Sequence, residues 1–136
     1  MLGVHTFRST EFLRDAHAYT LAGAAGTALH YIVFLALTTH APHANTIYTA
    51  LAATAGALAG AALNYLLSHR HVFRSQSPHR RTAPRFALVA ATTLVLNGLI
   101  VGVLSAAGAD PLPAQLAASA VTLASGFVVN RHWSFA

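Results

Sequence analysis

Thr46–Leu67 reads TIYTALAATAGALAGAALNYLL, 22 residues without a charge. As an α-helix rising about 1.5 Å per residue, a run of this length crosses a hydrocarbon core. Three further uncharged runs stand beside it: Tyr19–Thr39, Phe86–Ala107 and Leu112–Asn130, of 21, 22 and 19 residues. The whole chain of 136 residues is 55% hydrophobic and only 8% charged, where a soluble domain carries about a quarter charged residues. Too few charges remain to coat a water-facing globule, so lipid is the expected solvent for most of the surface. With no cysteine, disulfides and thiolate metal sites fall away. All eight cations are arginine and alanine is abundant, a bias that points to a GC-rich bacterial genome.

The runs pair into hairpins. His40-Ala41-Pro42-His43-Ala44-Asn45 is a tight turn signal between the first two, and Gly108-Ala109-Asp110-Pro111-Leu112-Pro113 is another between the last two. The central connection, Ser68–Arg85, differs: it holds Arg70, Arg74, Arg80, Arg81 and Arg85 with three histidines and two prolines. Every other arginine lies in the N-terminal tail or at Arg131, and neither tip has one. By the positive-inside rule the tips face out, and both termini and the 68–85 loop face the cytoplasm. The net charge of +5 is a topology signal, so nucleic acid is not an expected partner. Residues 1–18 read as a cytoplasmic or interfacial tail: Phe7, Phe12 and Leu13 among charges suit a short helix on the membrane surface, or a partly ordered end. The long apolar run that follows rules out a cleavable signal.

The hairpins also repeat. Asn64-Tyr65-Leu66-Leu67-Ser68-His69-Arg70-His71-Val72-Phe73 is matched 62 residues later by Gly126-Phe127-Val128-Val129-Asn130-Arg131-His132-Trp133-Ser134-Phe135. At that offset Gly56, Gly60 and Asn64 fall on Ala118, Thr122 and Gly126, each trio a small-residue stripe on one helical face. Ala18-Tyr19-Thr20-Leu21-Ala22 likewise resembles Arg85-Phe86-Ala87-Leu88-Val89, with His30 and Asn97 each twelve residues further on. The expected fold is an all-α integral membrane protein, one transmembrane domain of four helices arranged as two tandem parallel-repeat hairpins.

These hairpin ends resemble the signature of the GtrA-like family of small four-span bacterial membrane proteins: Asn-Phe, then Arg, Trp and Phe after each even helix, and Arg-Phe opening the odd ones. Asn64, Tyr65, Arg70 and Phe73 follow the first copy; Phe127, Arg131, Trp133 and Phe135 follow the second; Arg85-Phe86 opens the third helix. The resemblance covers roughly residues 18–136. Departures are His69 at the arginine position, His71 for tryptophan, Gly126 for the second asparagine, and His30 where an acidic residue is expected. The resemblance implies translocation of a polyprenyl-phosphate-linked monosaccharide across the bacterial cytoplasmic membrane for envelope polysaccharide synthesis. It implies no cofactor. A membrane glycosyltransferase is the expected protein partner, with membrane lipids around the spans.

Moving a sugar phosphate through hydrocarbon requires polar groups at depth and cations at the mouth, because each unsatisfied hydroxyl costs roughly 4–8 kcal/mol there. His30, Asn64, Asn97 and Gln115 are the polar candidates; the last three serve equally as interhelical hydrogen-bond glue. His30, eleven residues into its span, is the stronger path residue, since an ionisable group at that depth is expensive to keep for packing. Arg70, Arg85 and Arg131 are the candidate phosphate contacts, guanidinium being a planar fork for phosphate oxygens; Arg74, Arg80 and Arg81 read as topology signals. Tyr65, Phe73, Phe86, Phe127, Trp133 and Phe135 form an interfacial aromatic belt. Gly56, Gly60, Thr122 and Gly126 are helix-packing positions, facing another span or a second copy of the chain.

The three carboxylates, Glu11, Asp15 and Asp110, lie outside the four runs, so no acid pair for glycosyl chemistry exists. No phosphate-binding loop is present, and Ser125 has no neighbouring base. An enzyme is therefore not expected. The histidines at 69, 71 and 79, and at 40 and 43, have almost no carboxylate support, and no metal site is expected. Two rivals remain: a non-transporting anchor or regulator of a membrane glycosyltransferase, and a small multidrug exporter. The exporter resembles a family built on a glutamate in its first span, which this chain lacks.

Overall fold

The computed structural model describes the backbone of residues 3–40 and 46–136, and the side chains of 9–40, 46–110 and 112–136. Its elements are α1 (Gly3–Thr39), α2 (Thr46–Leu67), a π-helical turn at Ser68–Val72, α3 (His79–Ala106), α4 (Pro111–Val129) and a second π-helical turn at Asn130–Ser134. Four stretches among the described residues are long and apolar enough to cross a membrane: Ser9–Thr39, Thr46–Val72, His79–Ala106 and Leu112–Ser134. Their outer faces carry side chains that water would penalise and lipid accepts, such as Leu94 at 74% and Ile47 at 70% exposed.

The helices overrun the boundaries expected from hydropathy. α1 is continuous for 37 residues, about 55 Å, so no separate surface helix precedes the first span, and Glu11 and Asp15 belong to the same rod. Asp15 is buried, and its Oδ1 accepts from Arg14 Nη2 at 3.0 Å. The basic loop shrinks too. Arg70 lies in the first π-helical turn, while Arg80, Arg81 and Arg85 lie in the opening turns of α3, leaving only residues 73–78 outside helices. Charge ends a hydropathy run but does not end a helix. α3 starts instead directly after Pro78, an extended cap residue whose carbonyl oxygen accepts from Arg81 and Thr82 N–H.

The chain divides into two compact units, Met1–Arg74 and Ser75–Ala136, each a helical hairpin closed by a π-helical turn. In the first, α1 packs on α2 through glycine: a Cβ added at Gly56 would sit 2.6 Å from the His30 carbonyl oxygen, and one at Gly26 would sit 2.6 Å from that of Gly60. Tyr48 Oη donates to Leu37 O at 2.9 Å near the far end of this hairpin. Most of the expected tip there, residues 41–45, lies outside the described residues, His43 among them. In the second unit the tip is short. Gly108, at φ +88°, lets Gly108 and Ala109 donate back to Ser105 O and Leu104 O at 3.0 Å, which ends α3. Asp110, extended, then precedes Pro111 at the first turn of α4.

Buried positions follow the sequence repeat. Asp15, Tyr19 and Ala22 of α1 are buried, as are Thr82, Phe86 and Val89 of α3, each 67 residues later. Ala52, Gly56 and Ser68 are buried, as are Ala114, Ala118 and Asn130, each 62 residues later. Ring pairs close both hairpins: Tyr19 on Phe73 at 5.8 Å, and Phe86 on Phe135 at 5.9 Å.

Candidate functional site

In the first unit the close approach of α1 and α2 opens a groove of about 180 Å³ beside the glycines, bordered by Gly26, Thr27, His30, Gly60 and Asn64 among others. The small residues let the backbones meet, and the two large polar side chains then project past them into the remaining space. The His30 ring stacks on Tyr31 at 5.2 Å, and neither of its nitrogens has a hydrogen-bond partner among the described residues. Asn64 Oδ1 accepts from Ser68 Oγ at 3.2 Å, leaving the amide NH2 without a partner among them. This groove therefore offers an imidazole and a carboxamide with hydrogen-bonding capacity in hand.

Asn97 and Gln115 are differently placed. Gln115 Nε2 donates to Asn97 Oδ1 at 3.3 Å and to Ser119 Oγ at 3.1 Å, so this pair ties α3 to α4. Ser119 was not among the sequence candidates; its place four residues after Gln115, one helical turn on, was the available signal.

The two π-helical turns carry the cations. Each has an i→i+5 bond, from Phe73 N–H to Ser68 O at 2.9 Å and from Phe135 N–H to Asn130 O at 3.0 Å. Such turns are rare and favour functional positions. In the second turn the Arg131 guanidinium lies 6.0 Å from the Phe127 ring. In the first turn the side chain meeting the aromatic four residues back is His69, 5.8 Å from Tyr65 and buried, whereas Arg70 is exposed. His69 is thus the register partner of Arg131, as the 62-residue offset between them already hinted. Arg85 reaches across its hairpin: Nη1 donates to Trp133 O at 2.9 Å, with its guanidinium carbon 5.3 Å from the Trp133 ring. The aromatic candidates thus fall into ring pairs and cation contacts. Of the packing candidates, Gly56 and Gly60 meet α1, while Thr122 Oγ1 bonds back to Ala118 O at 2.9 Å and Gly126 is buried. Among the described residues, no three histidines or carboxylates gather as a metal site would require.

Residues 18–135 match the family model described as GtrA/DPMS, transmembrane domain. The chain belongs to this family. No curated protein and no solved structure matches it. As a GtrA/DPMS-domain protein with four helices fit to span a membrane, it is a multi-pass membrane protein. The hairpin-end residues on which the resemblance rested all lie within the matched segment.

Proposed function

We propose that this GtrA/DPMS-domain protein moves a polyprenyl-phosphate-linked monosaccharide across the bacterial cytoplasmic membrane, without nucleotide and without a chemical step of its own. The observation carrying this reading is the groove beside Gly26 and Gly60, where His30 and Asn64 hold unused hydrogen-bonding capacity in an otherwise apolar span. Polar groups in a span cost free energy unless they serve a partner, and a sugar's hydroxyls are suitable partners. Arg85 and Arg131, at the base of the second hairpin, supply guanidinium groups for the lipid phosphate, and Arg70 supplies one in the first. Net movement follows the gradient set by synthesis inside and consumption outside. In this reading the two hairpins are tandem parallel repeats, with both termini and the basic segment in the cytoplasm.

Reconstitution in liposomes tests the activity. A polyprenyl-phosphoryl sugar placed in the inner leaflet becomes accessible to an impermeant probe in the outer leaflet without ATP. A strict ATP requirement, or no transfer under any imposed gradient, overturns the reading and leaves the anchoring role for a membrane glycosyltransferase. Orientation is tested by cysteines at Gln76 and Ala107. Impermeant reagent added to intact cells labels Ala107→Cys alone, and labelling of both contradicts the topology.

A further inference from the structure

The polar groove of the first unit is one-sided in charge. Its polar border is Thr27, His30 and Asn64, and the rest of its lining is glycine and alanine. His30 lies one helical turn beyond Gly26 on α1, and Asn64 one turn beyond Gly60 on α2. A Cβ built at Gly60 would lie 3.1 Å from the His30 Cβ, and one built at Gly26 would lie 3.1 Å from the Asn64 Cβ. The two side chains therefore flank the glycine contact from opposite helices. Side chains on a helix tilt toward its N-terminus, and α1 and α2 run in opposite directions through the hairpin. The imidazole and the carboxamide thus lean toward each other over Gly26 and Gly60.

Of these groups only His30 can carry a charge, and that charge is positive. The carboxylates of this unit are Glu11 and Asp15. Asp15 stands fifteen residues before His30 on one continuous helix, about 22 Å away along its axis. Its Oδ1 is held by Arg14 at 3.0 Å. No carboxylate of this hairpin is therefore within reach of the imidazole. Asn64 Oδ1 accepts from Ser68 Oγ at 3.2 Å, so its NH2 is the end left for a ligand.

Three kinds of sugar would fare differently here. A neutral hexose asks for donors and acceptors alike, which a second carboxamide would supply without an ionisable group at depth. An amino sugar would bring an ammonium to a groove that holds no counter-charge. A sugar carboxylate only accepts, which suits the Asn64 NH2 and an imidazole that donates through one nitrogen when neutral and through both when protonated. A basic partner also offsets the cost of taking that carboxylate out of water.

We propose that the α1–α2 groove selects an acidic monosaccharide of the hexuronic acid class, its carboxylate received by His30 and its ring hydroxyls by Asn64 and Thr27. This rests on the reading that the groove takes the sugar of a lipid-linked substrate.

The test uses three polyprenyl monophosphates that differ only at C6 of the sugar: glucuronosyl, glucosyl and 6-amino-6-deoxyglucosyl. Each is offered to the full-length protein, in nanodiscs for capture and in liposomes for translocation. The glucuronosyl lipid should be captured at least about tenfold more tightly than the other two, the value of one charge-assisted hydrogen bond. His30→Gln, which keeps a donor without the capacity for charge, should close that gap. Asn64→Asp, nearly isosteric, should weaken capture of the glucuronosyl lipid more than of the glucosyl one. If His30→Gln elutes as aggregate, Asn64→Asp and the three lipids on the unaltered protein decide the matter. Equal capture of all three assigns the donors to the phosphate they share and overturns the proposal. So does a glucuronosyl preference that survives both substitutions. Translocation separates this idea from the one it rests on. Selective capture without transfer removes the transport reading alone, and transfer of all three lipids with equal capture removes the acid selectivity alone.

Discussion

Where Gly26 meets Gly60 in the first hairpin, the second hairpin carries Thr93 and Thr122 at the corresponding positions. Where the His30 backbone faces Gly56, the second carries Asn97 and Ala118. Two hairpins of one outline thus build different interfaces. Glycine lets the backbones of α1 and α2 touch, and the contact between these helices is the more extensive of the two hairpin interfaces. Beside the glycines, the His30 nitrogens and the Asn64 amide NH2 then stand in a groove without a hydrogen-bond partner among the described residues, while Asn64 Oδ1 accepts from Ser68. In the second hairpin the threonine hydroxyls fold back on their own helices, Gln115 ties up Asn97, and the open groove is apolar. One hairpin plan thus leaves a polar groove in the first unit and an apolar one in the second.

The largest expected effect breaks that difference at its origin. A Cβ at Gly60 would strike the Gly26 carbonyl oxygen, part of a rigid helix that cannot move aside cheaply. Gly60→Leu should therefore destabilise the first hairpin by about 3 kcal/mol, seen as loss of monodisperse protein and a lowered thermal midpoint in detergent. Thr122→Leu, at the matching position of α4, should cost well under half as much. Equal costs would mean that the glycine contact is not what distinguishes the hairpins.

A second, smaller effect concerns the π-helical turns. Arg131→Gln should cut translocation at least about tenfold, the value of one charge-assisted phosphate contact, with expression and topology kept. Arg131→Lys, retaining charge without the fork, should fall between. Arg70→Gln, at an exposed position of the first turn, should cost less than Arg131→Gln. If all three transport normally in liposomes, these arginines are topology signals.

The smallest effect lies where the first unit ends. Arg74 has φ +47°, a left-handed conformation that costs a side-chain-bearing residue roughly 1–2 kcal/mol. Arg74→Gly should raise unfolding stability by up to about 1 kcal/mol, offset in part by glycine's greater freedom in the unfolded chain. A chemical denaturation series in mixed micelles measures it, and a loss of stability would mean that the Arg74 side chain contributes more than its backbone costs.

By itself the sequence determined the solvent of this protein, the number of its spans and their pairing. Those follow from one-dimensional quantities: the length of uncharged runs, the turn residues between them, and the 62-residue echo from Asn64-Tyr65 to Gly126-Phe127. It also marked His30 and Asn64 as polar groups needing an explanation, because charge and dipole are expensive in hydrocarbon wherever the chain carries them. It did not tell where helices stop. The 68–85 segment reads as a loop by hydropathy, yet helical backbone hydrogen bonding runs through Arg70 and again through Arg80, Arg81 and Arg85, since a helix outside lipid needs no apolar residues. Nor did it separate Asn64 from Asn97. Both are carboxamides at similar depth whose Oδ1 accepts one hydrogen bond, and only the tertiary structure makes that bond an interhelical one from Gln115 for Asn97 and one from Ser68, a turn further along, for Asn64, which then borders the groove. Hydrogen-bond satisfaction depends on which side chains meet across a helix pair, and that is decided by how closely the backbones pack, here by glycine at Gly26 and Gly60 against threonine at Thr93 and Thr122.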